Sequence, residues 1–262
     1  MLLTIVLLLL TGLLAGLLAG LLGIGGGLVI VPMVSWILLA QSLGVDDAMP
    51  TAVATSLASM LLTSASSVWF HHRRNAIDWP CVARLAPGMT LGALSGAWLA
   101  VLMPGPWLAR VFAAVAAIIG FRMLLQTAPA RADRPARPRG WWLVGPGIGA
   151  VSAMAGIGGG SFNVPYLTRN GYRPVEAVAA AAACGWPIAL GGVIGFVVLG
   201  IGHEALPAST GYLYWPGVVL VGLGGMATAP LGVALAHRLP AATLKRVFGA
   251  VLILVALRMG WQ

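Results

Sequence analysis

Two copies of a short glycine string constrain how this chain can fold. Residues 23–27 and residues 156–160 both read GIGGG, and each copy lies inside a long apolar stretch. Four glycines in five residues weaken or break a helix, because a helix restricts the glycine backbone at a high entropic cost. Inside a membrane, such a break survives only where its backbone groups are buried in protein or line a cavity. The two strings are therefore predicted to belong to one site.

The composition places this chain among polytopic membrane proteins. Apolar residues make up 60% of the 262 positions and charged residues only 8%, whereas a soluble domain carries roughly 25% charged residues. A membrane span needs about 20 apolar residues, and an apolar run at residues 2–22 without a basic leader is read as a span rather than a signal peptide. The predicted spans are residues 2–22, 48–70, 79–102, 107–126, 141–156, 174–200, 212–236 and 242–260, with half-helices at 28–40 and 161–168.

A basic, proline-containing linker at residues 128–140 divides the chain into two similar halves, residues 1–127 and 141–262. Gly23 and Pro32 match Gly156 and Pro165 at a constant offset of 133 residues. Further along, the segments 103–123 and 239–259 share a proline, a leucine, two arginines and a phenylalanine at an offset of 136. This agreement predicts an internal duplication, which is common in membrane transporters.

The basic residues predict that the two halves are inverted. Four simple crossings in each half would divide the basic residues nine to six between the two sides of the membrane. An odd number of crossings in each half, with the glycine string between two helical pieces, leaves only Arg110 and Arg258 opposite the other thirteen of the fifteen. Because basic residues concentrate in cytoplasmic loops, the sequence predicts inverted repeats with a cytoplasmic linker and both termini outside.

The ionisable residues do not indicate a cation permease or an enzyme. All six acidic residues fall in connectors or at predicted helix ends: Asp46, Asp47, Asp78, Asp133, Glu176 and Glu204. Cation pumps and metal permeases usually carry acids or histidines at membrane depth, whereas the four histidines here are predicted to be interfacial. Cys81 and Cys184 have no metal-ligand spacing and are predicted to be buried, inert thiols. No catalytic group, metal or cofactor is expected.

Neutral polar groups and glycines remain as candidates for a site at membrane depth. Successive glycine N–H groups can form an anion-binding nest, and the N-terminus of a following helix adds a positive dipole. Gly25, Gly26, Gly158 and Gly159 are expected to include residues with positive φ or with backbone N–H groups that face a cavity, while Ser66 and Ser67 are read as helix packing. The predicted substrate-binding residues are Gly25, Gly26, Gly27, Thr55, Ser56, Gly158, Gly159, Gly160, Ser161 and Asn163.

These motifs resemble the sulfite exporter TauE/SafE family. The resemblance rests on GLLGIGGGLVIVP at residues 20–32, Ala54-Thr55-Ser56, the basic linker and a second GIGGGSFNVPYL at residues 156–167. It implies a permease for sulfur-containing anions such as sulfite, thiosulfate or organosulfonates. The second half departs from the first because Cys184-Gly185 stands where Thr55-Ser56 does, so an asymmetric site is expected.

The sequence thus predicts an all-α permease of the bacterial inner membrane, with 8–10 membrane segments and its site between two inverted repeats. Its expected partners are the transported anion and the lipid bilayer, with no nucleic acid, and a homodimer is left open. Three alternatives stay open: a permease for another solute, such as a metal cation or a carboxylate, a membrane-embedded enzyme, and an assembly subunit that transports nothing.

Overall fold

A computed structural model describes residues 2–22, 25–125, 140–203, 206–236 and 241–261. Gly23, Ile24 and most of the linker, residues 128–139, lie outside the described part of the chain. Its elements are α1 (Leu2–Leu22), α2 (Gly27–Ala40), α3 (Val45–Arg73), α4 (Trp79–Leu102), α5 (Gly105–Leu125), α6 (Trp141–Met154), α7 (Gly160–Arg169), α8 (Pro174–Leu199), β1 (Ser209–Thr210), β2 (Leu213–Tyr214), α9 (Trp215–Ala236) and α10 (Ala241–Gly260).

The predicted all-α polytopic membrane fold is confirmed. Six of the helices in the described ranges, α1, α3, α4, α5, α8 and α9, are long and apolar enough to cross a membrane. Most predicted spans begin and end within three residues of the bounds of the corresponding helix. The span predicted from residue 212 is wrong at its start, because residues 212–214 belong to a small β-hairpin and α9 begins at Trp215. Pro216 explains this boundary, since proline favours the first turn of a helix.

The acidic residues in the described part of the chain lie at helix ends, as predicted. Asp46 and Asp47 occupy the first turn of α3, and Glu176 occupies the first turn of α8. Asp78 caps α4, where its Oδ1 accepts a hydrogen bond of 3.2 Å from the backbone N–H of Cys81. Carboxylates at these positions are stabilised by the positive end of the helix dipole and by otherwise unpaired N–H groups.

Both glycine strings interrupt the helices, which confirms the predicted breaks. In the first half α1 ends at Leu22 and α2 begins at Gly27, and in the second half α6 ends at Met154 and α7 begins at Gly160. The backbone turns through residues with positive φ, namely Gly25 at 81°, Gly156 at 64° and Gly159 at 70°. Glycine adopts this conformation without the steric cost that a side chain would add.

The chain reverses direction at the first break. Near the end of α2, the side-chain amide of Gln41 lies 3.5 Å from Oγ1 of Thr4 at the start of α1. At the other end of α2, a Cβ placed on Gly26 would lie 3.1 Å from the Cβ of Ala15. The helices α1 and α2 therefore form an antiparallel pair rather than one interrupted crossing.

The same pattern of helix contacts occurs twice, and each time a helix of one half packs on a helix of the other. In the first set, α1 packs in parallel on α9 through the contacts Gly12–Val221, Gly16–Gly225 and Leu17–Gly232. In the second set, α6 packs in parallel on α4 through Gly145–Leu85, Gly149–Met89 and Ala150–Gly96. Adding 133 to the α1 residue and subtracting 136 from the α9 residue turns each contact of the first set into a contact of the second. The glycine rows thus provide the close packing that small residues allow in membranes.

The directions of the central helices follow from similar contacts. α3 runs parallel to α9 through Thr55–Gly217 and Thr63–Gly225, while α4 runs parallel to α8 through Thr90–Gly191 and Ala97–Gly195. α5 and α10 are antiparallel, because Gly120 faces Gly249 while Ala113 faces Gly260. Successive helices therefore alternate in direction along the chain.

This alternation defines two faces of the molecule. The linker face carries residues 74–78, Gly140 and residues 170–173. The hairpin face carries residues 41–44, residues 103–104 and the β-hairpin at 209–214. Eight of the nine exposed tryptophans in the described ranges lie near a face: Trp69, Trp79, Trp141 and Trp142 near the linker face, and Trp98, Trp107, Trp215 and Trp261 near the hairpin face. The ninth, Trp186, lies in the middle of α8. Tryptophan is enriched at both interfaces of a membrane, so the two faces correspond to its two surfaces.

Candidate functional site

The two glycine breaks meet in the interior of the protein. A Cβ placed on Gly25 would lie 3.8 Å from the backbone nitrogen of Gly158. Gly27 packs against the carbonyl of Gly156 so closely that a side chain there would collide with it. The structure therefore brings together the glycines that the sequence predicts to form one site.

A cavity of about 470 Å³ extends from the two breaks to the linker face. Gly25, Gly26, Met60, Gly158 and Gly160 form its floor. Its walls come from α1, α3, α8 and α9, through Ala19, Gly20, Leu21, Thr63, Ser64, Ser66, Ser67, Phe70, Val178, Ala181, Ala182, Gly185, Ala229, Pro230 and Ala234, with His71 and Arg74 at its mouth. The cavity is large enough to hold a small organic anion with water.

Hydroxyl groups line one wall of the cavity. Thr63, Ser64, Ser66 and Ser67 follow one another along α3 above the floor. Ser66 and Ser67 were interpreted as helix-packing residues, but the structure places both on the cavity wall. The sequence did not show this because the polar residues of this segment fall on several sides of α3, and tertiary packing decides which side faces the cavity.

The charge around the cavity is positive. The helices α2 and α7 both begin at the cavity floor, and their first intrahelical hydrogen bonds run from Val29 to Gly26 and from Phe162 to Gly159. The N–H groups that precede these bonds lie at the positive ends of two helix dipoles. Arg74 and His71 lie at the mouth, and no carboxylate lines the cavity in the part of the chain that the structure describes. This arrangement favours an anion over a cation.

Met60 is a site residue that the sequence analysis missed. Its side chain lies between the two breaks: Sδ is 3.2 Å from a Cβ placed on Gly158, and its terminal methyl group contacts Gly27. The residue is 3% exposed and forms part of the cavity floor. A lone methionine in an apolar helix carries no sequence signal for such a role.

Ser56 and Thr55 lie beneath the floor rather than among the residues that line the cavity. Ser56 Oγ donates a hydrogen bond of 2.8 Å to the carbonyl of Gly156, so it joins α3 to the second break. Thr55 Oγ1 accepts a bond of 3.3 Å from the backbone N–H of Tyr214 in β2. Both side chains are fully buried. These contacts hold the two halves together around the breaks.

Asn163 and Ser161 lie on α7, directly after the second break, and neither is among the residues that line the cavity. Ser161 is half-buried. Asn163 is fully buried, and its Nδ2 has Met89 Sδ 4.0 Å away. Within the described ranges, Asn163 Oδ1 and the nearby Ser152 Oγ have no hydrogen-bond partner. An unpaired buried oxygen is costly, so these two groups require an explanation beyond packing.

The hairpin face closes the protein beneath the floor. The ring of Tyr212 lies between Phe196 and His203, with centroid distances of 6.3 and 5.2 Å. His203 Nε2 is 2.7 Å from Oδ1 of Asp47. Burial, with a smaller contribution from Asp47, raises the pKa of the Tyr212 hydroxyl, so it stays neutral. Aromatic packing and polar contacts therefore block this side, while the linker side is open.

One contact joins the connectors of the two halves on the linker face. Tyr172 donates a hydrogen bond of 2.9 Å to Oδ2 of Asp78. Burial, together with hydrogen bonds to Cys81 and Asp78, raises the pKa of the Tyr172 hydroxyl well above its usual range. The hydroxyl therefore remains a donor at all physiological pH values. Cys81 and Cys184 are both buried free thiols, as predicted.

Comparison with known proteins identifies a family match over nearly the whole chain. The family described as Sulfite exporter TauE/SafE matches residues 8–259. A probable membrane transporter protein of Haemophilus influenzae is 36% identical over 257 residues, covering 97% of each chain. A probable membrane transporter protein of Methanocaldococcus jannaschii is 24% identical over 260 residues, covering 98% of this chain and 96% of its own. No solved structure matches this chain.

Proposed function

This chain belongs to the sulfite exporter TauE/SafE family of membrane transporters, and we propose that it is a permease for a small sulfur-containing anion. Sulfite, thiosulfate and organosulfonates are the candidate substrates. The observation that carries this proposal is the meeting of the two glycine breaks at the floor of one cavity. The anion would bind there, between the two halves of the protein.

The chemistry of the cavity floor supports an anion as the substrate. Helix N-termini bind oxyanions through free N–H groups and the helix dipole, and α2 and α7 both begin at the floor. A sulfur oxyanion presents several oxygens to such donors. Thr63 and Ser64 line the same cavity, with their hydroxyls donated to the carbonyl of Met60 within α3 in this state. A metal cation would find no carboxylate among the described residues that line the cavity.

The repeated contacts support two inverted repeats, residues 1–127 and 141–262. Each contact between α1 and α9 has a counterpart between α6 and α4, and counterpart helices run in opposite directions. Transporters built from inverted repeats bind their substrates near the middle of the membrane, where discontinuous helices meet. The position of the two breaks agrees with that arrangement.

The distribution of charge supports a cytoplasmic linker face. Among the arginines that the structure describes, Arg110 and Arg258 lie toward the hairpin face, and the others lie toward the linker face: Arg73, Arg74, Arg84, Arg122, Arg169, Arg173 and Arg246. Because short cytoplasmic loops are rich in basic residues, we place the linker face and the cavity mouth in the cytoplasm of a bacterial cell. The protein would then lie in the inner membrane, open inward.

Reconstituted liposomes provide the direct test of this function. Uptake of labelled sulfite, thiosulfate and a small sulfonate is compared with uptake of acetate and of Mn²⁺. We expect saturable transport of at least one sulfur anion and its loss in the Gly159→Val variant. Transport of acetate or Mn²⁺ with no response to any sulfur anion would replace the proposal with one of the alternative permeases.

A further inference from the structure

A polar contact on the hairpin face joins the two halves of the protein. Asp47 lies in the first turn of α3 in the first half, and His203 follows α8 in the second half. Their side chains approach to 2.7 Å and remain 33% and 51% exposed. The contact lies on the side on which the cavity is closed, and it joins the two halves there.

The repeat relation assigns a counterpart to each member of the Asp47–His203 pair. An offset of 129 residues relates α3 to α8, because Val45 and Pro174 begin these helices and Thr55 corresponds to Cys184. The same offset converts Asp47 into Glu176. It also converts Arg74, which directly follows α3, into His203. An acid and a base thus recur at equivalent positions: the acid lies in the first half in one pair and in the second half in the other.

The counterpart pair is open in this structure. Glu176 accepts a hydrogen bond of 2.8 Å from Nε of Arg173, three residues earlier in the chain. Arg74 lies at the cavity mouth and forms no salt bridge within the part of the chain that the structure describes. The pair on the closed face is therefore formed, whereas the pair on the open face is separated.

From this asymmetry we propose that Asp47–His203 and Arg74–Glu176 are the two gate pairs of the transporter, and that they form in turn. In the state described here, the first pair closes the hairpin face. In the opposite state, Glu176 leaves Arg173 and binds Arg74 across the cavity mouth, while Asp47 and His203 separate. Arg173 is 79% exposed, and such exposed local pairs are weak, so the exchange of partners costs little.

The inference rests on the proposed inverted repeats but not on the identity of the anion, so disulfide trapping can test it without substrate. Cys81 and Cys184 are first replaced by alanine. One variant then carries Asp47→Cys with His203→Cys, and another carries Arg74→Cys with Glu176→Cys. We expect the first pair to cross-link readily in membranes and the second to cross-link slowly.

Weakening the first gate should favour the second. Adding His203→Ala to the Arg74→Cys, Glu176→Cys variant should raise its cross-linking rate roughly two- to fivefold, as expected for the loss of one exposed polar pair. The matched control is His72→Ala, since His72 contacts Trp79 rather than an acid. His72→Ala should leave the rate unchanged.

Two outcomes of the cross-linking experiments would overturn the gate assignment. If Arg74→Cys with Glu176→Cys does not cross-link in either background, although the protein inserts and the first pair does, the gate assignment is overturned. An equal increase with His72→Ala would also overturn it, because the effect would then be general loosening. Exchange between the two pairs in a protein that transports no sulfur anion would overturn the substrate proposal and leave the gates standing.

Discussion

Gly25 and Gly158 face each other across the centre of the protein, although 133 positions separate them in the chain. A side chain on Gly25 would lie 3.8 Å from the amide nitrogen of Gly158, and the positive φ of Gly25 already disfavours one. Each string breaks its own helix, and together they form the floor of a single cavity. A helix break exposes unpaired backbone groups, which are costly in a membrane. Where the two breaks meet, these groups can face a single cavity instead of lipid.

Gly159→Val should abolish transport while leaving membrane insertion intact. Gly159 has a φ of 70°, and its Cβ position is blocked by Ile188. Gly140→Val is the matched control, because Gly140 has a φ of 63° with nothing within 4 Å of its Cβ position. Anion uptake and membrane yield are measured for both variants. Normal uptake by Gly159→Val would show that the second break does not require the positive φ that glycine allows at this position.

Ser56→Ala should destabilise the protein by about 1–3 kcal/mol, since it leaves the buried carbonyl of Gly156 without its donor. Ser59→Ala is the control, because the Ser59 hydroxyl bonds to the carbonyl of Thr55 within its own helix. That carbonyl belongs to the α3 hydrogen-bond ladder, so the loss should be smaller. Thermal unfolding in detergent compares the two variants. Equal melting temperatures would show that the hydrogen bond from Ser56 to Gly156 does not stabilise the contact between the halves.

Much of this fold could be predicted from the sequence. The glycine strings, the helix positions and the acids at helix ends depend on local composition and spacing, which the chain carries in each segment. The reversal at the first break could not be predicted, because an apolar helix reads the same in either direction. Gln41 beside Thr4 reveals it, and that contact depends on tertiary packing.

The candidate site was less accessible to prediction than the fold. Met60 and Ser67 line the cavity because of how α3 is rotated against α8 and α9. That rotation is set by close contacts such as Leu62 on Gly222, and no single helix encodes them. Thr55 and Ser56 were predicted as ligands from their polarity at membrane depth, and polarity alone does not tell whether a residue lines the cavity or, like these two, lies outside its lining.

Arg74→Gln should reduce anion transport at low substrate concentration. Its guanidinium is the charged group at the cavity mouth, and removal of one partly exposed charge changes affinity roughly two- to fivefold. Arg73→Gln is the control, because Arg73 stacks on Trp69 at 4.8 Å and does not line the cavity. The difference between the two variants should shrink as salt concentration rises. A KM that is equal in both variants would contradict a role for Arg74 in attracting the anion.

Asn163→Leu should weaken anion binding by roughly tenfold to a hundredfold without lowering stability. Asn163 Oδ1 has no partner within the described ranges, so an apolar side chain of similar size gives up only the long contact of 4.0 Å between Nδ2 and Met89 Sδ. A buried amide kept without a partner is expected to serve the bound state. Ser152→Ala tests the neighbouring oxygen in the same way. Anion binding by calorimetry and the melting temperature are measured together. A variant that is more stable and binds as tightly as the parent would make Asn163 a packing residue.

The orientation of the protein can be tested with tags at three positions. The charge distribution predicts that a tag at residue 135, in the basic linker, is cytoplasmic, whereas tags at both termini are outside. A reporter within residues 71–75 should agree with the linker, because α3 and α5 both end at the linker face. The termini test the inversion most directly: with five alternating helices in each half, the linker must lie opposite both ends. A C-terminal tag on the same side as residue 135 would require an even number of crossings in the second half, and the inverted arrangement would fail.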